Sequence, residues 1–160
     1  MILERFKVKD KVAIVSGGTR GIGLAIAQAL GEAGAKLIVT SRTDKFGGLE
    51  KLKKAGYEVS FLESDMHDKS TPQKIIDFSI EKYGRIDILV NNAGVAKHGE
   101  IEEYNDEMLD NIMNINVDSV FRMCRSVIAP MKKQGGGVIL NIGSISGLVS
   151  NIPLSLIHIW

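Results

Sequence analysis

The sequence predicts one α/β domain built around a doubly wound parallel sheet. Apolar runs of strand length recur at regular intervals, and segments whose apolar residues repeat at helical spacing separate them. Strands that alternate with helices in this way favour parallel pairing through right-handed crossover connections. The length of 160 residues and the hydrophobic content of 44% suit a single domain with a sizeable core.

Five segments are predicted to form the strands of this sheet. The first is the clearest, because Val12 to Val15 form an unbroken apolar run, as expected of a parallel strand covered on both faces. The predicted strands comprise residues 11–16, 36–40, 58–62, 86–90 and 138–142.

Helices are predicted between the strands from apolar repeats of helical period. Gly34, Gly56 and Gly84 follow three helical segments, where a left-handed C-terminal cap is expected, and the dipeptide Thr71-Pro72 suits a helix start. The repeats are Ile22, Ala25, Ile26, Ala29 and Leu30; Ile75, Ile76, Ser79, Ile80 and Tyr83; and, in one longer helix, Met108, Ile112, Ile115, Phe121, Cys124, Val127, Ile128 and Met131.

Composition excludes several function classes. Twenty basic and nineteen acidic residues give a net charge of +1 without a basic cluster, which argues against a nucleic-acid partner. No apolar run approaches a membrane span or a signal-peptide core, so we expect a soluble protein without a membrane partner. Cys124 is the only cysteine, which excludes an internal disulfide and is consistent with a buried thiol and a cytoplasmic location.

A glycine-rich turn joins the first strand to the first helix. Gly17, Gly21 and Gly23 allow a tight turn, close approach of a ligand to the backbone, and close packing of the helix on the sheet. The following helix offers its free N–H groups and the positive end of its dipole to a phosphate. Three glycines also suit a plain structural turn, so the surrounding sequence must decide between the two.

Two motifs together resemble the short-chain dehydrogenase/reductase family. The spacing Gly-x-x-x-Gly-x-Gly is the family's, with Ser16 where Thr is usual, and Asn91-Asn92-Ala93-Gly94 after the fourth strand matches its Asn-Asn-Ala-Gly. The consecutive amides can tie neighbouring strands together and line the cofactor site. The resemblance implies a Rossmann-type sheet and a nicotinamide cofactor held at Gly17, Thr19, Arg20, Gly21, Ile22, Gly23, Asn92, Ala93 and Gly94.

Basic residues occupy the place where many such folds bind the ribose of NAD. An acidic residue usually follows the second strand there, whereas this chain has Ser41 and Arg42. A guanidinium can pair with a 2′-phosphate in a bidentate manner, and Arg20 adds a second cation. In the family this pair goes with NADP, which we therefore expect in preference to NAD. The alternative is that both arginines are ordinary solvated surface residues.

Two residues after the third strand resemble the family's adenine contacts. Asp65 and Met66 occupy the register of that pair. From the residues alone, Asp65 is equally a routine helix cap.

Asn116 and Ser144 are the predicted catalytic residues. Asn116 matches the helix asparagine that supports the family's proton relay, although Asn114 lies close by. Ser144 matches the serine that hydrogen-bonds the substrate carbonyl beyond the fifth strand, and Ser146 is its nearest competitor. His98 and Cys124 suggest neither a nucleophile nor a metal site, because no cluster has ligand spacing.

The resemblance runs from about Lys11 to Leu154 and then departs from the family pattern. The family's Tyr-x-x-x-Lys motif begins about thirteen residues after the serine, where this chain has Ile157. Since that tyrosine is the family's general acid/base, we expect no carbonyl reduction by this chain. We interpret residues 1–154 as a nicotinamide-binding domain truncated after its fifth strand, which becomes an exposed apolar edge, and residues 155–160 as an artefactual tail.

The resemblance implies an NADP(H)-dependent oxidoreductase that interconverts a secondary alcohol and a ketone. Sugar-acid dehydrogenases and 3-oxoacyl carrier-protein reductases are the expected relatives, and a small carbonyl or alcohol compound is the expected substrate. Family members associate through their long helices, so a dimer or tetramer is expected of the full-length parent. The alternative is a non-catalytic nucleotide-binding Rossmann module.

Overall fold

A computed structural model describes residues 2–97 and 101–145 and contains the predicted parallel sheet. Its five strands lie in the order β3-β2-β1-β4-β5, and every pairing between neighbours is parallel. The strands are β1 (Val12–Ser16), β2 (Lys36–Ser41), β3 (Val59–Glu63), β4 (Ile88–Asn91) and β5 (Val138–Asn141). The helices are α1 (Gly21–Glu32), α2 (Gly48–Lys54), α3 (Thr71–Tyr83), α4 (Asp106–Met113) and α5 (Ser119–Lys133).

Both faces of the sheet are covered, which explains the unbroken apolar runs. Alternate residues of β1 enter two separate cores. Val12 and Ile14 pack with the buried side chains of α3 and α5, whereas Ala13 and Val15 pack with those of α1 and α2. A doubly wound sheet is therefore confirmed.

The predicted helix ends are also confirmed. Gly34, Gly56 and Gly84 follow α1, α2 and α3 with φ values of +94°, +84° and +73°, which only glycine adopts without strain. The third helix begins at Thr71 with Pro72 in its first turn.

The long helix predicted from Met108 to Met131 is divided. A π turn over Asn114–Asp118 separates α4 from α5, so the apolar repeat changes its orientation at this point. Phe121 and Ile128, which the repeat assigned to the buried face, are 65% and 43% exposed. Apolar residues of the same helical segment that remain exposed are Leu109, Met113 and Val117.

The fifth strand forms an apolar edge, as expected. It pairs with β4 alone in the sheet that the structure describes. Ile139 packs against the core beneath α3 and α5, but Val138 and Leu140 are 61% and 48% exposed. Across the described residues, every helix is too short or too polar to cross a membrane.

A charged cluster fastens the amino ends of β1 and β4. Arg85 donates two hydrogen bonds to Asp87, at 2.8 and 2.6 Å, and Lys11 Nζ lies 3.3 Å from the same carboxylate. The backbone N–H of Val12 donates to Asp87 Oδ2 at 3.0 Å. Burial alone would raise the pKa of Asp87, but the hydrogen bonds from Arg85, Val12 and Lys11 outweigh it and hold the pKa below its usual value.

Replacement of Asp87 tests this cluster. Asp87→Asn should lower the free energy of unfolding by about 1–3 kcal/mol at pH 7, because charge-assisted hydrogen bonds are lost from a side chain that is 9% exposed. Since the folded-state pKa is depressed, this contribution is complete above the unfolded pKa of about 4 and disappears as the pH falls through the folded value. Urea unfolding of both proteins at several pH values measures the difference.

The exposed Asp77 provides the control, because its recorded partner is the amide of Gln73 on the same helix. Asp77→Asn should leave stability nearly unchanged at every pH. A stability difference between the wild type and Asp87→Asn that stays constant down to pH 2 would contradict the assignment.

Candidate cofactor-binding site

The buried hydroxyl of Ser16 joins the carboxyl ends of β1 and β4. Ser16 Oγ accepts hydrogen bonds from the backbone N–H groups of Asn92 and Ala93, both at 3.0 Å, and lies 3.3 Å from Val90 O, to which it donates. Ser16 is 1% exposed, so no water replaces these contacts from the surface. The hydroxyl that Ser shares with the family's Thr thus holds the Asn-Asn-Ala-Gly segment in place.

The side chain of Asn92 reinforces the same junction. Its Nδ2 donates to the carbonyl oxygens of Ser16 and Gly17 at 3.0 and 3.2 Å. Asn91 connects the next pair of strands, because its Nδ2 donates to Asn141 Oδ1 at 2.9 Å. The expectation that consecutive amides tie neighbouring strands together is confirmed.

Close contacts require glycine at two positions of the turn. A Cβ at Gly23 would lie 2.3 Å from Gly17 O and 2.4 Å from Asn92 Nδ2. Gly17 itself has a φ of +66°, and a Cβ there would lie 3.1 Å from Ala93 Cα. The first turn of α1 therefore packs directly against the end of β1 and the loop after β4, and this close backbone packing forms a cradle.

This cradle fits a dinucleotide. Arg20 precedes α1 in an extended conformation and provides no side-chain cap, so the first N–H groups of the helix keep their capacity to donate. Ile22, in the first turn, is 66% exposed and offers an apolar surface beside those N–H groups. Uncapped donors, the helix dipole and close backbone packing are the features that a pyrophosphate requires.

The loop after β2 is hydrogen-bonded to the glycine turn. Thr19 Oγ1 lies 3.0 Å from Ser41 Oγ and 3.3 Å from Thr43 O, and Ser41 Oγ donates to Thr43 O at 2.7 Å. Thr19 is 2% exposed, whereas Arg20 and Arg42 are exposed. Within residues 2–97 and 101–145, neither guanidinium group forms an ion pair or hydrogen bond.

The two predicted adenine contacts differ in exposure. Asp65 is exposed, and its Oδ1 accepts a hydrogen bond from the backbone N–H of His67 at 2.9 Å. Met66 is only 7% exposed and belongs to the core beneath α3 and α5. Asp65 therefore caps a turn, while its second oxygen stays at the surface.

The π turn directs two asparagines to different partners. Asn116 Nδ2 donates to Val95 O at 2.8 Å, and Val95 N–H donates to Asn116 Oδ1 at 2.9 Å. The amide of Asn114 instead lies 3.0 Å from His67 Nδ1 and accepts from Arg122 at 2.9 Å. Asn116 is thus the one that contacts the loop after Asn91-Asn92-Ala93-Gly94, and a Cβ on Gly94 would lie 3.4 Å from its Oδ1.

Ser144 lies three residues beyond the end of β5, at the same carboxyl edge of the sheet, and is exposed. Ser146, His98, Ile157 and residues 155–160 lie outside the described residues.

The described part of the chain holds no cluster of three or more potential metal ligands among its His, Cys, Asp and Glu residues. Cys124 is half-buried rather than fully buried, and Asn91 Nδ2 donates to its Sγ at 3.4 Å near the end of β4.

Comparison with known proteins places this site in a family. Residues 11–156 match the short chain dehydrogenase family, a match that covers nearly the whole chain and includes both the glycine turn and the asparagine motif. The chain belongs to the short-chain dehydrogenase family.

Individual family members are similar over most of this chain. A 2-dehydro-3-deoxy-D-gluconate 5-dehydrogenase of Dickeya dadantii is 35% identical over 91% of the chain, which corresponds to 58% of that protein. An NADP-dependent (R)-specific alcohol dehydrogenase of Lentilactobacillus kefiri is 38% identical over 92% of the chain and 60% of that protein.

A solved structure agrees with the fold. The crystal structure of gox2181 superposes with a TM-score of 0.91 at 35% identity, covering 97% of this chain and 62% of the gox2181 chain. The chain therefore spans less than two thirds of the length of these short-chain dehydrogenases.

The structure brings most of the predicted site residues to one edge of the sheet. The residues from the turn after β1 contact both the loop after β2 and the loop after β4, and Asn116 joins them through Val95.

Two residues with a part in this arrangement were not predicted. Gly48 packs on Thr19, where a Cβ would lie 2.0 Å from the carbonyl oxygen, and Phe46 lies beneath Arg20. The adjacent glycines at positions 47 and 48 could have indicated the close packing of Gly48. No pattern in the sequence indicated the role of Phe46.

The Ser16 junction can be tested by removing one hydroxyl. Ser16→Ala should lower the free energy of unfolding by about 1–3 kcal/mol, because the buried N–H groups of Asn92 and Ala93 lose their acceptor. Ser16→Thr keeps the hydroxyl and should remain close to the wild type. Urea unfolding measures both values, and equal stabilities for the two variants would disprove the role of the hydroxyl.

Proposed function

We propose that the chain binds NADP(H) at this edge and is the cofactor-binding part of an oxidoreductase that interconverts a secondary alcohol and a ketone. The observation that carries the proposal is the pair of exposed arginines that follow Thr19 and Ser41, whose hydroxyl groups are in contact. Arg20 and Arg42 flank the place of the ribose-binding acid, and within the described residues no carboxylate neutralises them. A 2′-phosphate supplies the missing negative charge, whereas the hydroxyl of NAD does not.

Each part of the site has a separate task in this proposal. The backbone of Gly17 to Gly23 holds the pyrophosphate, and Asn92, Ala93 and Gly94 line the cofactor site. The bound nicotinamide supplies or accepts the hydride. Ser144 donates a hydrogen bond to the carbonyl oxygen and stabilises the negative charge that develops there. Asn116 fixes the loop after β4 and supports the proton relay.

The proposed substrate is a small carbonyl or alcohol compound, and the named relatives support two classes. The Dickeya protein is a sugar-acid dehydrogenase by name, and the Lentilactobacillus protein is an NADP-dependent alcohol dehydrogenase. A reductase of 3-oxoacyl carrier-protein type is the other class that the family resemblance suggests. The exposed apolar residues of α4, the π turn and α5 support self-association of the whole protein, and the single cysteine fits a cytoplasmic location.

Cofactor preference is the first test. NADPH should bind the 160-residue chain at least about tenfold more tightly than NADH, and Arg42→Ala or Arg20→Ala should each reduce that preference severalfold, because a charge-assisted pair contributes roughly 1.5–3 kcal/mol. Fluorescence titration with each cofactor gives the dissociation constants. Arg125→Ala, at an exposed position on α5, is the control and should change neither dissociation constant. Equal dissociation constants for NADPH and NADH would exclude the proposed preference.

Catalysis by this chain alone is the second test. We propose that the 160-residue chain reduces no ketone, because position 157 is Ile and its three tyrosines are engaged elsewhere. Tyr57 contacts Glu32, Tyr83 contacts Ser60, and Tyr104 contacts the backbone of Lys97. Oxidation of NADPH should stay at background with 3-oxoacyl thioesters and keto sugar acids. Turnover that is abolished by Ser144→Ala would refute this part of the proposal and identify another proton donor.

A further inference from the structure

We propose that Phe46 is a positioning residue for cofactor specificity, because it holds the Arg20 guanidinium where the 2′-phosphate binds. The inference rests on the proposed NADP(H) site and adds a residue that the family motifs do not contain. Arg20 Cζ lies 5.4 Å from the centre of the Phe46 ring. Phe46 is 63% exposed, so burial in a core does not account for the position of its ring.

The contact with the ring leaves the guanidinium able to bind an anion. A guanidinium has five N–H donors. A cation–π contact with the ring is not a hydrogen bond, so it leaves these donors available. Phe46 therefore restricts the motion of Arg20 without competing for the hydrogen bonds that a phosphate needs.

The position of the ring is itself fixed by the loop that carries it. The backbone of Gly48 packs against Thr19, and Thr19 Oγ1 contacts Ser41 and Thr43 on the other side of Phe46. Asp44 accepts hydrogen bonds from the N–H groups of Gly48 and Leu49 at 2.9 and 3.2 Å. Contacts on both sides of Phe46 hold this loop against the glycine turn, and Arg20 belongs to that turn.

The physical benefit of the Phe46 contact is that Arg20 is preorganised for phosphate binding. A free arginine loses rotamer entropy when it binds a phosphate, and an arginine already held in place loses less. The benefit applies only to a ligand that Arg20 contacts. Removal of the ring should therefore weaken binding of NADPH and leave binding of NADH unchanged.

A second arginine and phenylalanine pair provides a matched control within the chain. Arg125 Cζ lies 5.7 Å from the ring centre of Phe121, which is 65% exposed on α5. The two pairs have nearly the same geometry and exposure, but only one belongs to the glycine turn. Phe46→Leu and Phe121→Leu thus remove equivalent rings and retain apolar side chains.

The experiment is titration of the 160-residue chain and its variants with NADPH and with NADH. Phe46→Leu should raise the dissociation constant for NADPH about two- to fivefold, as expected from an exposed cation–π pair, and leave that for NADH unchanged. Phe46→Tyr keeps an aromatic face and should retain wild-type affinity. Phe121→Leu should change neither constant. Combined with Arg20→Ala, Phe46→Leu should have no further effect on NADPH binding.

The outcomes separate the inference from the function on which it rests. A wild type that binds NADPH no better than NADH overturns both. A wild type that prefers NADPH, together with a Phe46→Leu variant that keeps the same preference, overturns the role of Phe46 alone. Equal weakening of both cofactors by Phe46→Leu also overturns it, because the ring would then support the loop in general. Circular dichroism melting verifies that each variant is folded.

Discussion

The set of hydrogen bonds between the end of β1 and the loop after β4 is the constraint on which the candidate site depends. The backbone N–H groups of Asn92 and Ala93 donate to Ser16 Oγ, and Asn92 Nδ2 donates to the carbonyl oxygens of Ser16 and Gly17. These bonds place Ala93 and Asn92 against the turn, and the resulting contacts leave no room for a side chain at Gly17 or Gly23. The glycine turn is therefore shaped from outside, by the neighbouring loop, as much as by its own glycines. A turn of the same sequence without this loop would lack the cradle.

Charge is distributed in opposite ways at the two ends of the sheet. At the amino end, the carboxylate of Asp87 lies between Arg85 and Lys11, so the strand ends are joined by a cluster of opposite charges. At the carboxyl end, Arg20 and Arg42 have no carboxylate partner among the described residues, and the helix dipole of α1 adds to their positive potential. The paired charges at the amino end stabilise the strand ends. Unmatched charges of one sign at the other end attract an anionic ligand.

Features set by local chemistry could be predicted from the sequence. The strands follow from apolar runs, and the helix ends at Gly34, Gly56 and Gly84 follow from a φ that only glycine tolerates. The π turn could not be predicted, because it depends on Asn116 reaching the backbone of Val95, a contact between segments far apart in sequence. The contact between Phe46 and Arg20 likewise joins segments that are far apart in sequence. Tertiary contacts of this kind produce no periodic pattern of residues in the sequence.

The two halves of the candidate site differ in their structural support. The cofactor-binding half rests on β1 and β4, which lie inside the sheet with packed cores on both faces. Ser144 follows β5, which pairs with β4 alone in the described sheet and leaves Val138 and Leu140 exposed. Because a strand held on one side opens more easily than one held on both, the position of Ser144 depends on whatever covers that apolar face. In the proposed function, cofactor binding and carbonyl orientation thus depend on different parts of the sheet, and only the part around the glycine turn has packed cores on both faces.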